Sequence, residues 1–218
     1  MSKILEQLFR ESDERCPCHS WEREGGMTFP RHHPRCPNYD PTDVLPVMID
    51  NYFAKMRSGA VFSDDRKYRY MLWRTFDPSR PPVNFVGLNP SKASEVKNDT
   101  TISKDIGFAE RWGCGMIIKT NLFAFVSTDP AGLRQAADEG RDPVGRANDL
   151  WLAAAAAYTE EKGGKIVFCY GDGGEYMKRY VRVRQLIPEP YCLGVTQAGN
   201  PKHTSRLAYA TPLVRMQS

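Results

Sequence analysis

The sequence predicts an α/β protein, a three-layer sandwich built on a central, largely parallel sheet. Two observations lead there. The runs VNFVGL (83–88), MIIKTNLFAF (116–125) and KIVFCYG (165–171) are almost continuously apolar, as strands covered on both faces must be. Helical segments separate these runs, so strand and helix alternate along the chain.

The elements follow in order. Residues 1–42 are rich in Pro, Cys, His and Arg and read as an N-terminal extension to a domain over 43–218. TDVLPVMIDNYFAKMRSG opens on Thr42-Asp43 as a cap and predicts a helix closing at Gly59. KYRYMLWRTF (67–76) reads as a strand and VNFVGL as a buried one. TISKDIGFAERWG is helical up to Gly113, MIIKTNLFAF is a strand ending near Asn121, and DPAGLRQAAD supplies a short helix. In DPVGRANDLWLAAAAAYTEEKGG, Asp142 stands as the N-cap, Pro143 at the first helical position and Gly-Gly as the stop. KIVFCYG passes through GDGG into a helical EYMKRYVRVRQL, and YCLGVT (191–196) is the last strand.

A chain of 218 residues suffices for one such domain and its core. Its 41% hydrophobic and 26% charged residues are ordinary for a soluble protein. No stretch approaches the roughly 18 apolar residues of a membrane helix, and the start, MSKILEQLFRESDER, lacks the apolar core of a secretory signal. A cytoplasmic, membrane-free protein is expected. The net charge of +4 permits a nucleic-acid partner, and MKRYVRVR (177–184), Lys202, His203, Arg206 and Arg215 concentrate basic groups in the last quarter. Six cysteines in such a compartment argue against a disulfide framework. Cys16, Cys18, His32 or His33, and Cys36 could close a tetrahedral zinc site; a metal-free loop is an equal reading, because CxC is a less common ligand pair than CxxC.

In parallel α/β sheets ligands bind beyond the carboxyl ends of the strands. That directs attention to GLNPS (87–91), TNLFAF (120–125), YGDGG (170–174) and the segment after YCLGVT, TQAGNPKHTSRLAYATPL. The last holds the one histidine outside the N-terminal cluster.

Taken in order, these loops resemble the uracil-DNA glycosylase superfamily. HTSRLAY resembles its HPSPLS-type loop, GLNPS its first motif (GQDPYH or GLNPG in two branches), KTNLFAF the strand whose terminal Asn reads the base, and IVFCYGDGGEYMKRY the apolar strand and helix that follow. The resemblance covers about residues 83–212, and residues 1–65 find no counterpart. GLNPS and NLFAF, with RWG, also resemble a bacterial family of unassigned function, read as a branch of this fold.

The resemblance implies a monofunctional DNA glycosylase, which flips a base out of DNA and hydrolyses its N-glycosidic bond to leave an abasic site, without a redox or catalytic cofactor. Such cleavage develops positive character on the sugar and negative charge on the departing base. His203 would stabilise that anion. Asn89 stands where a carboxylate general base would be better suited, and an amide can only orient water through its carbonyl oxygen. Asp99 is the nearest carboxylate able to supply a base, or equally an N-cap for the following helix.

Asn121 would read the base edge while Phe108 or Phe123 stacks on its face, although core packing is the commoner role of phenylalanine. Ser91 replaces the tyrosine that excludes a C5 substituent in the uracil-specific branch. With Gly171, Gly173 and Gly174 it argues for a bulky modified pyrimidine, such as glucosylated hydroxymethylcytosine of phage DNA in antiviral defence. Uracil or a mismatched base is the alternative. Lys202, Ser205 and Arg206 would hold phosphates of the DNA, and Leu207 would enter the duplex as a wedge or else pack as an ordinary leucine. No lysine nucleophile is evident, and a monomer is expected. Two other classes compete: a nucleotide- or sugar-nucleotide-processing enzyme with YGDGG around a phosphate, and a non-catalytic nucleic-acid-binding module.

Overall fold

The computed structural model describes Ile49, residues 53–129 and 131–216, and two short strands near the N-terminus, β1 (Trp21–Glu24) and β2 (Met27–Pro30), which pair antiparallel. The candidate zinc ligands Cys16, Cys18, His32 and Cys36, with His33, lie outside the described residues.

The main sheet has seven strands: β3 (Ser58–Phe62), β4 (Arg69–Thr75), β5 (Pro82–Gly87), β6 (Met116–Asn121), β7 (Lys165–Phe168), β8 (Tyr191–Cys192) and β9 (Val214–Arg215). Their order is β3-β4-β6-β5-β7-β8-β9. The central run β6-β5-β7-β8 is parallel, and the flanking pairs β3-β4, β4-β6 and β8-β9 are antiparallel. The sheet is therefore mixed, parallel at its centre.

Alternate residues of these strands serve opposite faces, as the pleat requires. Leu72, Val83, Phe85, Ile117 and Val167 pack with Ile102, Phe108 and Ala109 of α1 (Thr100–Arg111). On the other face Val86, Ile166 and Phe168 meet Leu152 and Ala156 of α3 (Asn148–Glu161) and Val183 of α4 (Arg179–Leu186), while Met71, Trp73, Met116 and Ile118 meet Trp151, Ala154 and Ala155. Helices thus cover both faces, each fully buried large side chain contributing roughly 1.5–3 kcal/mol. A short helix, α2 (Ala131–Asp138), lies between β6 and α3. Among the described residues no helix is long and apolar enough to cross a membrane.

Four local expectations are corrected. Gly59 does not end a helix; it lies inside β3, where its missing side chain admits the ring of Trp73, with which any Cβ would collide. Asp142 does not cap α3. Its carboxylate accepts from Val144 N at 2.9 Å and Gly145 N at 3.2 Å, capping a turn, and Gly145 at φ +83° delays the helix to Asn148. The segment after GDGG begins as 3-10 turns over Asp172–Lys178, with left-handed backbone at Met177 and Lys178, before α4 starts at Arg179. YCLGVT provides only β8, and β9 pairs beyond it.

Candidate functional site

A cavity of about 420 Å³ opens at the carboxyl ends of β5, β6 and β7. It gathers Asn89, Ser91, Asp99, Asn121 and His203, five of the predicted site residues, from four separated segments.

Asn121 ends β6 and is 1% exposed. The backbone of Asn121 and Leu122 is held from three sides: Leu122 N donates to Gly87 O at 2.9 Å, Asn148 Nδ2 donates to the carbonyls of Asn121 and Leu122, and Arg179 Nε donates to Leu122 O at 2.8 Å. The side chain of Asn121 is the reverse case. Neither Oδ1 nor Nδ2 has a hydrogen-bond partner although both are buried. A rigid strand end thus presents one acceptor and two donors toward the cavity, unpaired at a free-energy cost.

Asn89 has the complementary arrangement. Its Nδ2 donates to Ser127 O at 2.8 Å and Pro90 O at 3.1 Å. Two carbonyl acceptors require the NH₂ at that end, so Oδ1 is the end left for the cavity. Pro90 stiffens the turn that makes this possible.

His203 stands at the start of a 3-10 turn, Thr204–Arg206, where its Nδ1 accepts from Ser205 N at 3.2 Å and lies 2.8 Å from Ser205 Oγ. A backbone N–H donating to Nδ1 fixes the tautomer that carries its proton on Nε2. Burial first, and then the Lys119 charge, hold the imidazole below its ordinary pKa, which favours the neutral ring. The loop itself is anchored by Lys202 N to Gly194 O at 2.9 Å and by Gly171 N to Pro201 O at 2.8 Å.

Asp99 is the N-cap of α1, its Oδ1 accepting from Ile102 N at 2.9 Å, and reaches the cavity as well.

The remaining predicted contacts divide. Phe108 and Phe123 are fully buried and line no part of the cavity: Phe108 packs on Trp112 and Tyr209, Phe123 on Tyr176. The aromatic that reaches the cavity is Tyr170, whose hydroxyl burial pushes up to about 12, keeping it protonated. Gly171, at φ +65°, lies beside the cavity, and Gly173 lines it. The absent side chains at Gly173 and Gly174 admit Leu88 and the Tyr170 ring rather than widening the space, since a Cβ at either would collide with them. Lys202, Ser205 and Arg206 are exposed, whereas Leu207 is partly buried against the core beneath α1.

Two lining cations were missed. Lys119 sits in the middle of β6, fully buried, with Nζ 2.9 Å from Asp105 Oδ2 and 3.5 Å from Cys169 Sγ. Burial alone would lower its pKa, but Asp105 and Cys169 together raise it, so the ammonium stays charged. Arg69, at 3% exposure, donates Nη1 to Ala93 O at 2.7 Å while its Nε has no partner. Burial brings its pKa down to about 10, still well above neutrality. The signal was a charged residue within an apolar run, MIIKTN or RYMLW. Burial also pushes the Cys169 thiol up to about 11, away from the thiolate a nucleophile needs.

The cavity therefore joins an unpaired amide, a neutral imidazole donor, an amide oxygen placed to orient water and two buried cations. Such a set can hold a polar planar ligand and stabilise negative charge developing on it. Among the described residues no cluster of three or more His, Cys, Asp or Glu could hold a metal ion.

No curated protein and no solved structure matches the chain. Residues 69–204, more than half of the chain and every residue that lines the cavity, match the model of a family described as "Protein of unknown function (DUF1643)", and the chain belongs to that family.

Proposed function

We propose that this protein is a monofunctional DNA glycosylase of the uracil-DNA glycosylase type, which flips a modified pyrimidine into the cavity and excises it, leaving an abasic site. The observation that carries this reading is Asn121: a buried amide with both polar atoms unpaired has its hydrogen bonds still to make, and the Watson–Crick edge of a pyrimidine offers matching groups. His203 donates Nε2–H to a base carbonyl as the bond breaks. Asn89 orients water through Oδ1 at the sugar, and Asp99 stands at the same cavity to receive a proton.

Ser91 on the cavity wall, in place of a bulky gate, favours a base carrying a large C5 substituent, and glucosylated hydroxymethylcytosine of phage DNA fits that description. An antiviral role, for a cytoplasmic monomer acting on DNA, goes with that substrate as part of the proposal. Lys202 and Arg206 are exposed beside His203, where backbone phosphates of bound DNA would pass. Excision of uracil or a mismatched base is the narrower alternative. A structural zinc at Cys16, Cys18, His32 and Cys36 belongs to the same proposal, and metal analysis of the Cys36→Ser variant tests it.

A phosphate cradle at YGDGG is less well supported. Gly171 N is committed to Pro201 O and Gly174 N to Gly171 O at 3.2 Å, and the segment continues as a kinked 3-10 turn. The test of function incubates the protein with DNAs containing uracil, mismatched thymine, hydroxymethylcytosine or glucosylated hydroxymethylcytosine, followed by alkali. Strand breaks on one of them, lost in His203→Ala, are expected. Intact DNA throughout would favour a binding module or a nucleotide-processing enzyme.

A further inference from the structure

Lys119 and Asn121 lie two residues apart on β6 and so project from the same face of the sheet. They converge above Gly87, the residue paired with Asn121 across the parallel ladder. A Cβ built on Gly87 would lie 2.9 Å from Asn121 Oδ1 and 3.2 Å from Lys119 Nζ. Only a glycine leaves that approach open, so the ammonium and the unpaired amide flank one space on the cavity floor.

The ammonium has three N–H groups. Asp105 and Cys169 take two, and the third has no hydrogen-bond acceptor among the described residues, the Phe85 ring centroid lying 5.7 Å from the ammonium. Asp105 fixes the ammonium in place, and Thr204 Oγ1 donates to the second oxygen of Asp105 at 2.7 Å. The carboxylate thereby ties the ammonium to the residue that follows His203.

We propose that Lys119 is a catalytic residue of the excision, its ammonium donating to the flipped base beside Asn121 and stabilising the negative charge on the base as it departs. The inference rests on the glycosylase reading above. The bond between the sugar C1′ and the base nitrogen breaks with its electron pair leaving on the base. Water adds its oxygen to C1′ and loses a proton, and the base anion is protonated after release. Lys119 changes neither its own bonds nor its own protonation; it meets the anion with a charge already oriented, alongside the neutral donor His203. A lysine held protonated is no nucleophile, which accords with hydrolysis and no lyase step.

Single-turnover cleavage and DNA affinity are measured on the DNA that wild type cuts, for Lys119→Arg, Lys119→Ala and the double variant Lys119→Met/Asp105→Asn, which removes the charged pair together. The double variant is expected to lose cleavage by roughly 10²–10³-fold, the usual effect of one preorganised donor, with DNA affinity within about twofold and the protein still folded, its melting temperature lowered by no more than the weakened Thr204–Asp105 bond accounts for. Lys119→Arg keeps the charge and is expected to retain most of the rate. Methylammonium added to Lys119→Ala is expected to restore cleavage, whereas methanol does not. Cleavage by a folded double variant at near the wild-type rate overturns the proposal. So does a loss shared by rate and affinity that methylammonium leaves unrestored, because that marks a purely structural lysine. Should the double variant not fold, the amine rescue of Lys119→Ala decides in the same way. Wild type releasing no base from any of the four DNAs is a different result: it removes the glycosylase reading, and this inference with it.

Discussion

Thr204 and Asp105 are 99 positions apart, and the Thr204 hydroxyl donates to Asp105 Oδ1 at 2.7 Å with both residues fully buried. Through this bond the loop carrying His203 is fastened to α1, and through the other Asp105 oxygen to Lys119 of β6. A histidine that must aim one N–H into a cavity needs such an anchor, because its own turn is only three residues long.

Thr204→Val keeps the shape of the side chain and removes the donor. Hydrogen bonds to charged acceptors are worth about 1.5–3 kcal/mol, so a stability loss of that order is expected in denaturant titration. Thr204→Ser, which restores the hydroxyl, is expected to recover most of it. If the loop stays anchored by other contacts, the two variants will be equally stable.

His203 carries the pH dependence of the loop. Its pKa is lowered, by burial and then by Lys119, from an ordinary value of about 6.5. For a depressed group, the stability contributed by the neutral form is present above the unfolded value and is lost as pH falls through the folded one. Protonation at Nδ1 also displaces the Ser205 N–H. Below about pH 6.5, wild type should therefore lose stability more steeply than His203→Asn. Its excision rate should remain level down to a pH below that value. Parallel stability-against-pH curves for the two proteins would count against this account.

Much of the architecture was legible because continuous apolar runs such as VNFVG admit few placements other than a buried strand. Asn89, Asn121 and His203 were legible because each closes or follows such a run, and strand ends in parallel sheets converge. The pairing of Lys119 with Asp105 was not, since a buried ion pair leaves no periodic trace and neither residue announces a partner 14 positions away. Gly59 misled for a related reason: the ring of Trp73 that requires it lies on the neighbouring strand. Phe108 and Phe123, offered as a stacking platform for the base, take the commoner role of phenylalanine instead, one packed on each face of the sheet.

Arg74 locks the loop whose two ends, Ser91 and Asp99, line the cavity. Its Nε donates to Asn98 Oδ1 at 2.7 Å, Nη2 to Ser94 O at 2.6 Å and Nη1 to Trp73 O at 2.7 Å. Arg69 adds Ala93 O, and Arg66 pairs with Glu95 at 2.8 Å on the surface. Arg74→Met should remove these three hydrogen bonds, the buried one costing about 1–3 kcal/mol and the two part-buried ones less, and release the loop before the sheet unfolds. Trypsin cleavage after Lys92 or Lys97, both exposed, would report it. Mass spectrometry that finds no faster cutting there than in wild type would show the loop to be held by other means.

Asn121 offers the sharpest separation of function from stability. A side chain retained for the fold weakens the fold when removed, but both amide atoms of Asn121 are buried without partners, a state that costs roughly 1–3 kcal/mol for a group left unsatisfied. Asn121→Ala should therefore melt at or above the wild-type temperature while losing base excision by about a hundredfold or more, as removal of one preorganised polar contact does. Asn121→Asp keeps the shape and exchanges two donors for a charge beside Lys119, so it should fold and should discriminate differently between uracil and cytosine derivatives. A fall in melting temperature with excision preserved would instead assign the amide to the fold, and the cavity would lose the group on which its reading as a base pocket rests.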